Sequence, residues 1–206
     1  MVGYGADPGP CLDELVARAA GVVAGNHDRA AVGLTDLAWF NPYARAAAEW
    51  TAERLSPAQA RYLEELPLTA EVGEATLVHA SPRNPEAWQY IISLRDGERA
   101  FGHFSTRLGF IGHSHLPGVF VLGPEGVAHR PGPGRTSLEP GRRYLINVGS
   151  VGQPRDADPR ACYAIYDPEA AEVEIRRVPY DVVAARAKIL AAGLPRLLGD
   201  RLLYGR

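Results

Sequence analysis

The stretch "RLGFIGHSHLPGVF", residues 107–120, carries an apolar run straight into two histidines, His113 and His115, one residue apart. In an α/β protein, a β-branched or aromatic run that breaks into a polar, histidine-bearing turn reads as a strand delivering side chains to a site. The same form occurs in "VVAGNHDR" (22–29) and in "ATLVHASPR" (75–83). Three remote segments are therefore predicted to end as strands on metal-capable side chains: Asn26 with His27, His79, and His113 with His115. In extended backbone, residues i and i+2 point to one side, so His113 and His115 are expected to face one site with Ser114 turned away. Taken singly, a histidine at a strand end is more often a hydrogen-bonded or solvated residue than a ligand, and Gly-Asn favours a turn. The three together suit a divalent transition metal of the Mn, Fe, Zn or Ni class, because imidazole and amide donors favour these over Mg or Ca.

Around these segments the pattern alternates helix and strand. "CLDELVARAAG" (11–21) places Leu12, Leu15, Val16 and Ala19 on one helical face. Asn41-Pro42 and the Ser56-Pro57-Ala58-Gln59 capping box are predicted to start two helices that end by Pro67. Hairpins are expected over 69–78, 118–130 and 162–178, a strand over "RRYLINVG" (142–149), and a helix start at Asn84-Pro85. Residues 131–140 read as loop, and 181–203 as amphipathic helix broken at Gly193 and Pro195. These elements are expected to form a single α/β domain over residues 1–206.

Bulk composition excludes several classes of protein. The 206 residues are 46% hydrophobic and 22% charged, with a net charge of −2. A basic excess for bulk phosphate neutralisation is missing, so strong nucleic-acid binding is not expected. Cys11 and Cys162 stand far apart in no paired motif, which suits a reducing, cytoplasmic setting. Apolar runs fall short of the roughly 20 residues of a membrane helix.

Taken in order, "GNHDR" (25–29), "LVHASPR" (77–83), "GHSH" (112–115) and "NVGSVGQPRD" (147–156) resemble the calcineurin-like metallophosphoesterases, in particular the small bacterial phosphodiesterase or diadenosine tetraphosphatase-like branch. "VGYGADP" (2–8) resembles the tail of that family's G-D-x-V-G-Y-G-P-D-P motif. The resemblance implies a four-layer α/β/β/α sandwich and a dinuclear centre that hydrolyses phosphomonoesters or phosphodiesters, with a small phosphorylated substrate, nucleotides among the candidates. It implies that Asn26, His79 and His113 bind the second metal and His115 the first. His27 would act as the acid beside the phosphoryl group, with Asp28 orienting it. Two cations would make hydroxide available near neutral pH and spread the developing charge. Arg29, Arg83 and Arg155 are candidate phosphate contacts, and the amides of Gly149–Gly152 a candidate anion turn.

The chain departs from the family pattern in one large respect. The D-x-H segment and the bridging aspartate of G-D are missing, and Met1 stands where the variable residue before V-G-Y-G belongs. The expectation is therefore an N-terminally incomplete sandwich that lacks a first strand-helix-strand unit. Val148 and Ala80 replace the family's usual Pro and Gly. A scaffold that keeps the fold without turnover is the rival reading.

Overall fold

The structure, a computed structural model, describes residues 1–206. The chain forms two compact units: a helical one from residues 1–68 and 181–204, and a strand-bearing one from 69–180 and 205–206.

The helical unit opens with α1 (Pro8–Arg18), α2 (Asn26–Ala31), α3 (Pro42–Ala52) and α4 (Pro57–Glu65). Local chemistry explains their starts. Asn41 Oδ1 accepts from the amides of Tyr43 and Ala44, and Ser56 exchanges bonds with Gln59 in a capping box, each followed by a proline at the first helical turn. The expected strand before the GNHD segment does not form. Residues 22–24 belong to no strand, and Ala24 N donates to Pro67 O at 2.8 Å. Ala24 instead packs with Leu12, Leu63 and Leu66. A short apolar run buries itself by packing as well as by pairing, and periodicity does not separate the two. Asn26, His27 and Asp28 accordingly lie in the first turn of α2, not on a loop.

The strand-bearing unit holds β1 (Thr69–Val72), β2 (Ala75–Val78), α5 (Leu94–Phe101), β3 (Leu108–Ile111), β4 (Gly118–Gly123), β5 (Gly126–Pro131), β6 (Gly134–Ser137), β7 (Arg143–Asn147), β8 (Ala161–Asp167) and β9 (Glu172–Val178). One sheet runs β1-β2-β3-β7-β4-β5, and a second runs β6-β9-β8. Strands β2, β3 and β7 are mutually parallel; the other pairings are antiparallel. Central β7 is apolar on both faces, as a doubly covered strand must be. Its Tyr144 and Ile146 meet Val173, Ile175 and Cys162 of the second sheet, while Leu145 joins Ala100, Phe101 and Phe120 under α5. Helix, sheet and sheet thus form three successive layers within this unit.

Two further expectations are corrected. Asn84-Pro85 starts only a 3-10 turn, Pro85–Ala87, because Trp88 adopts a left-handed conformation (φ 50°) that ends it. The helix begins instead at Ser93, capped by exchange with Asp96. The loop expected over 131–140 contains β6, which pairs with β9.

The chain ends in α6 (Val182–Ala191), α7 (Arg196–Asp200) and a 3-10 turn, Arg201–Tyr204, which belong to the helical unit. Ile189, Leu194, Leu198 and Leu202 pack there against Ala47 of α3, and Trp50 Nε1 donates to Ala192 O at 3.0 Å.

Candidate active site

Parallel strands β2, β3 and β7 lie side by side and end at one edge of their sheet, the edge where α/β proteins gather ligand-binding loops. The residues that follow them are His79, Gly112-His113 and Val148-Gly149. The ladder continues past the strands: Gly112 N donates to His79 O and Val148 N to Ile111 O, both at 2.9 Å. His79 and His113 are thereby brought together, with His79 Nε2 3.1 Å from His113 Nδ1.

His113 is buried, with 8% of its surface exposed. Burial lowers its pKa to about 4; a hydrogen bond to the Trp88 main chain opposes this, and the nearby Arg155 charge adds to it. At neutral pH the imidazole is therefore uncharged, the form that ligates metal.

The extended geometry expected for the H-x-H pair is not what forms. His113 and His115 both have φ near 60°, in the left-handed region, so the strand alternation rule does not govern them. Ser114 is buried and accepts at 2.8 Å from Asn147 Nδ2. His115 Nδ1 lies 2.6 Å from the carbonyl oxygen of Gln153. A carbonyl only accepts, so Nδ1 carries the proton and Nε2 is the nitrogen with a lone pair.

The NVGSVGQPRD segment shapes the rest of this edge. Asn147, 1% exposed, donates to Gly112 O at 3.0 Å and to Ser114 Oγ, and its Oδ1 accepts from Gly149 N at 3.1 Å. The Gly149 amide expected in an anion turn is therefore engaged by Asn147. Gly149 itself has φ 77°, and a Cβ there would stand 2.5 Å from Cys162 Sγ, so only glycine fits. Arg155 Nη2 donates to Gln153 Oε1 at 3.0 Å and Arg155 N to His115 O at 3.3 Å. Gln153 thus holds His115 through its carbonyl and Arg155 through its side chain. Arg83 is exposed, its amide bonded to Ser81 Oγ at 3.2 Å.

Asn26, His27, Asp28 and Arg29 lie in the helical unit, on α2. Asp28 is 1% exposed and accepts from Gly25 N at 2.8 Å, Val2 N at 3.0 Å and the terminal amine at 2.8 Å. Burial pushes its pKa up, but the terminal ammonium and these backbone donors together hold it below the ordinary carboxylate value. The His27 ring lies 4.3 Å from Tyr4 and 5.0 Å from Phe40, centroid to centroid. Gly3 has φ 131°, and a Cβ on it would stand 2.4 Å from His27 Nδ1. The VGYG and GNHD motifs are thus packed onto each other, which their separation in sequence does not announce.

Asn147 and Gln153 were not predicted as site residues. Asn147 follows the same pattern as the histidines, a polar residue closing an apolar strand, and that pattern could have found it. Tyr90, which stacks on His113, sits in a stretch with no motif.

No three His, Cys, Asp or Glu side chains gather as a metal cage. The observed pair nonetheless fits a metal: two imidazoles on one ion at ~2.1 Å, at a right angle or slightly wider, place their nitrogens about 3 Å apart. An ion held by few protein donors keeps positions for water or substrate.

The fold is that of a metallophosphoesterase. Over 99% of its length the chain superposes with a TM-score of 0.85 on the crystal structure of a metallophosphoesterase from Sphaerobacter thermophilus, at 40% identity and covering 84% of that chain. It shares its fold with hypothetical protein PH1004 from Pyrococcus horikoshii OT3 (TM-score 0.74, 19% identity, 99% of this chain and 82% of that one). An uncharacterized protein of Methanocaldococcus jannaschii, MJ0912, is 38% identical over 213 residues, spanning 100% of this chain and 84% of that protein. Residues 7–171 match the calcineurin-like phosphoesterase superfamily domain, and the chain belongs to that superfamily. The family uses divalent metal ions. No helix is long and apolar enough to cross a membrane.

Proposed function

We propose that the protein hydrolyses phosphate mono- or diesters of small molecules at the edge formed by β2, β3 and β7. The observation that carries this reading is the facing pair of imidazole nitrogens, His79 Nε2 and His113 Nδ1, 3.1 Å apart just past the ends of adjoining parallel strands. His79 and His113 would hold a divalent cation, and His115, through Nε2, would serve as a further ligand. When bound, the metal supplies charge that activates water and offsets negative charge on the phosphoryl group. Arg155 binds a non-bridging phosphate oxygen, and its tether to Gln153 fixes the direction of approach. The family resemblance gives Asn26 a ligand role, His27 the role of acid for the leaving oxygen, Asp28 that of its support and Arg29 a phosphate contact; substitutions test each separately. A dinuclear centre follows from the same resemblance, with manganese as the first metal to try.

Mn²⁺ is expected to raise the melting temperature of the wild-type protein, because a ligand that binds only the folded state stabilises it. It is also expected to support turnover of bis-p-nitrophenyl phosphate or p-nitrophenyl phosphate. His113→Ala and His79→Ala should each remove the thermal shift and lower turnover by roughly a hundredfold or more. An unchanged shift and unchanged turnover in both variants would refute the site. A metal-bound wild type that hydrolyses neither ester would favour the scaffold reading.

A further inference from the structure

Between β2 and α5 the chain passes over the histidine pair in an unusual path. Asn84 and Trp88 are both left-handed (φ 51° and 50°), a conformation that asparagine tolerates and that a bulky tryptophan holds only where its surroundings require it. The path is fixed at two points: His113 is hydrogen-bonded to the Trp88 main chain, and Ile91 is buried, 5% exposed, in the core under α5. Two aromatic rings are set against the histidines as a result. Tyr90 stacks on His113 with centroids 4.2 Å apart and planes at 18°, and Trp88 meets His79 edge-on at 5.9 Å. Tyr90 remains 50% exposed although one ring face lies on His113. An apolar ring with one face held and the rest open to solvent, on a histidine that also feels the Arg155 charge, is the composition of a platform for a flat group attached to a phosphate.

We infer that Tyr90 is a specificity-determining residue: it stacks the aromatic group of a phosphate ester whose phosphoryl end lies at His79, His113 and Arg155. The inference rests on the phosphoesterase reading above and narrows its substrate to esters carrying a planar aromatic group, either an aryl ring or a nucleobase. Alkyl esters lack the ring and gain nothing from Tyr90. The loop positions Tyr90 through backbone strain and a buried neighbour, so the platform is preformed and little ordering is lost on binding.

The test is calorimetric binding of three monoesters, methyl phosphate, phenyl phosphate and adenosine 5′-monophosphate, to the Mn²⁺-loaded protein, with wild type, Tyr90→Phe and Tyr90→Ala. One stacked ring is expected to favour phenyl phosphate or the nucleotide over methyl phosphate by about tenfold in wild type. Tyr90→Phe should keep that ratio and Tyr90→Ala should bring it close to one. Preference for the nucleotide alone assigns a nucleobase, and preference for phenyl phosphate alone assigns a ring bonded directly to the ester oxygen. A wild type with no aromatic preference overturns the inference, as does a Tyr90→Ala variant that weakens all three ligands equally, the mark of a residue that merely supports His113. Failure to bind any of the three, methyl phosphate included, would count against the phosphoesterase reading itself.

Discussion

Asn147 shows how much of the site depends on one uncharged side chain. Its amide, itself buried, joins the loops after β3 and β7 by donating to Gly112 O and Ser114 Oγ and accepting from Gly149 N. Asn147→Ala leaves two acceptors and one donor unmet and is expected to destabilise the fold by about 2–4 kcal/mol, read from urea unfolding. Because Ser114 separates the two histidines, the same change should also weaken Mn²⁺ binding without removing a ligand. Stability within 0.5 kcal/mol (about the scatter of surface changes) would show that water replaces the amide. At this scale the sequence was partly legible. The histidines stand out because imidazole is rare and chemically specific, and His79 and His113 each follow an apolar run that ends as a strand. Tyr90 gave no such signal, since its place against His113 comes from a loop whose left-handed turn at Trp88 no local preference encodes.

The secondary-structure elements were most legible where the chain carries its own stop and start chemistry. Asn41 and Ser56 cap α3 and α4 as expected, and the glycine turn between β1 and β2 forms as expected, because each depends on a few adjacent residues. Residues 22–24 and strand β6 went astray for the opposite reason: pairing needs a partner strand, and that is a tertiary fact. The partner that decides most is β7, whose Leu145 is fully buried beneath α5. Leu145→Ala is expected to cost about 2–5 kcal/mol, measured by denaturant unfolding, because a central strand leaves the surrounding side chains little room to collapse. A loss below about 1 kcal/mol would mean that α5 settles into the space.

For the molecule as a whole, acid sensitivity offers a check on the charges that hold it together. Asp158 is paired with Arg160, and this bond above all lowers its pKa from 3.8 to about 2 against the effect of burial. A carboxylate held lower in the folded state than in the unfolded one adds stability that is complete above the unfolded value. That contribution is lost as pH falls from about 3.8 toward 2. Asp158→Asn should therefore be less stable than wild type at neutral pH, and the gap should close in this window, as thermal melts across pH 2–5 would record. A gap that is constant with pH would show that the pair adds nothing measurable, as many surface ion pairs do. The unbroken main-chain ladder that runs from β2 and β3 into His79 and Gly112 has a different implication for the molecule. At His79 the path of the chain is settled by peptide groups, so the side chain at this one position is exchangeable cargo. Cysteine or aspartate installed in place of His79 would meet an unaltered backbone, and the edge could exchange one ion, and one chemistry, for another without being refolded around it.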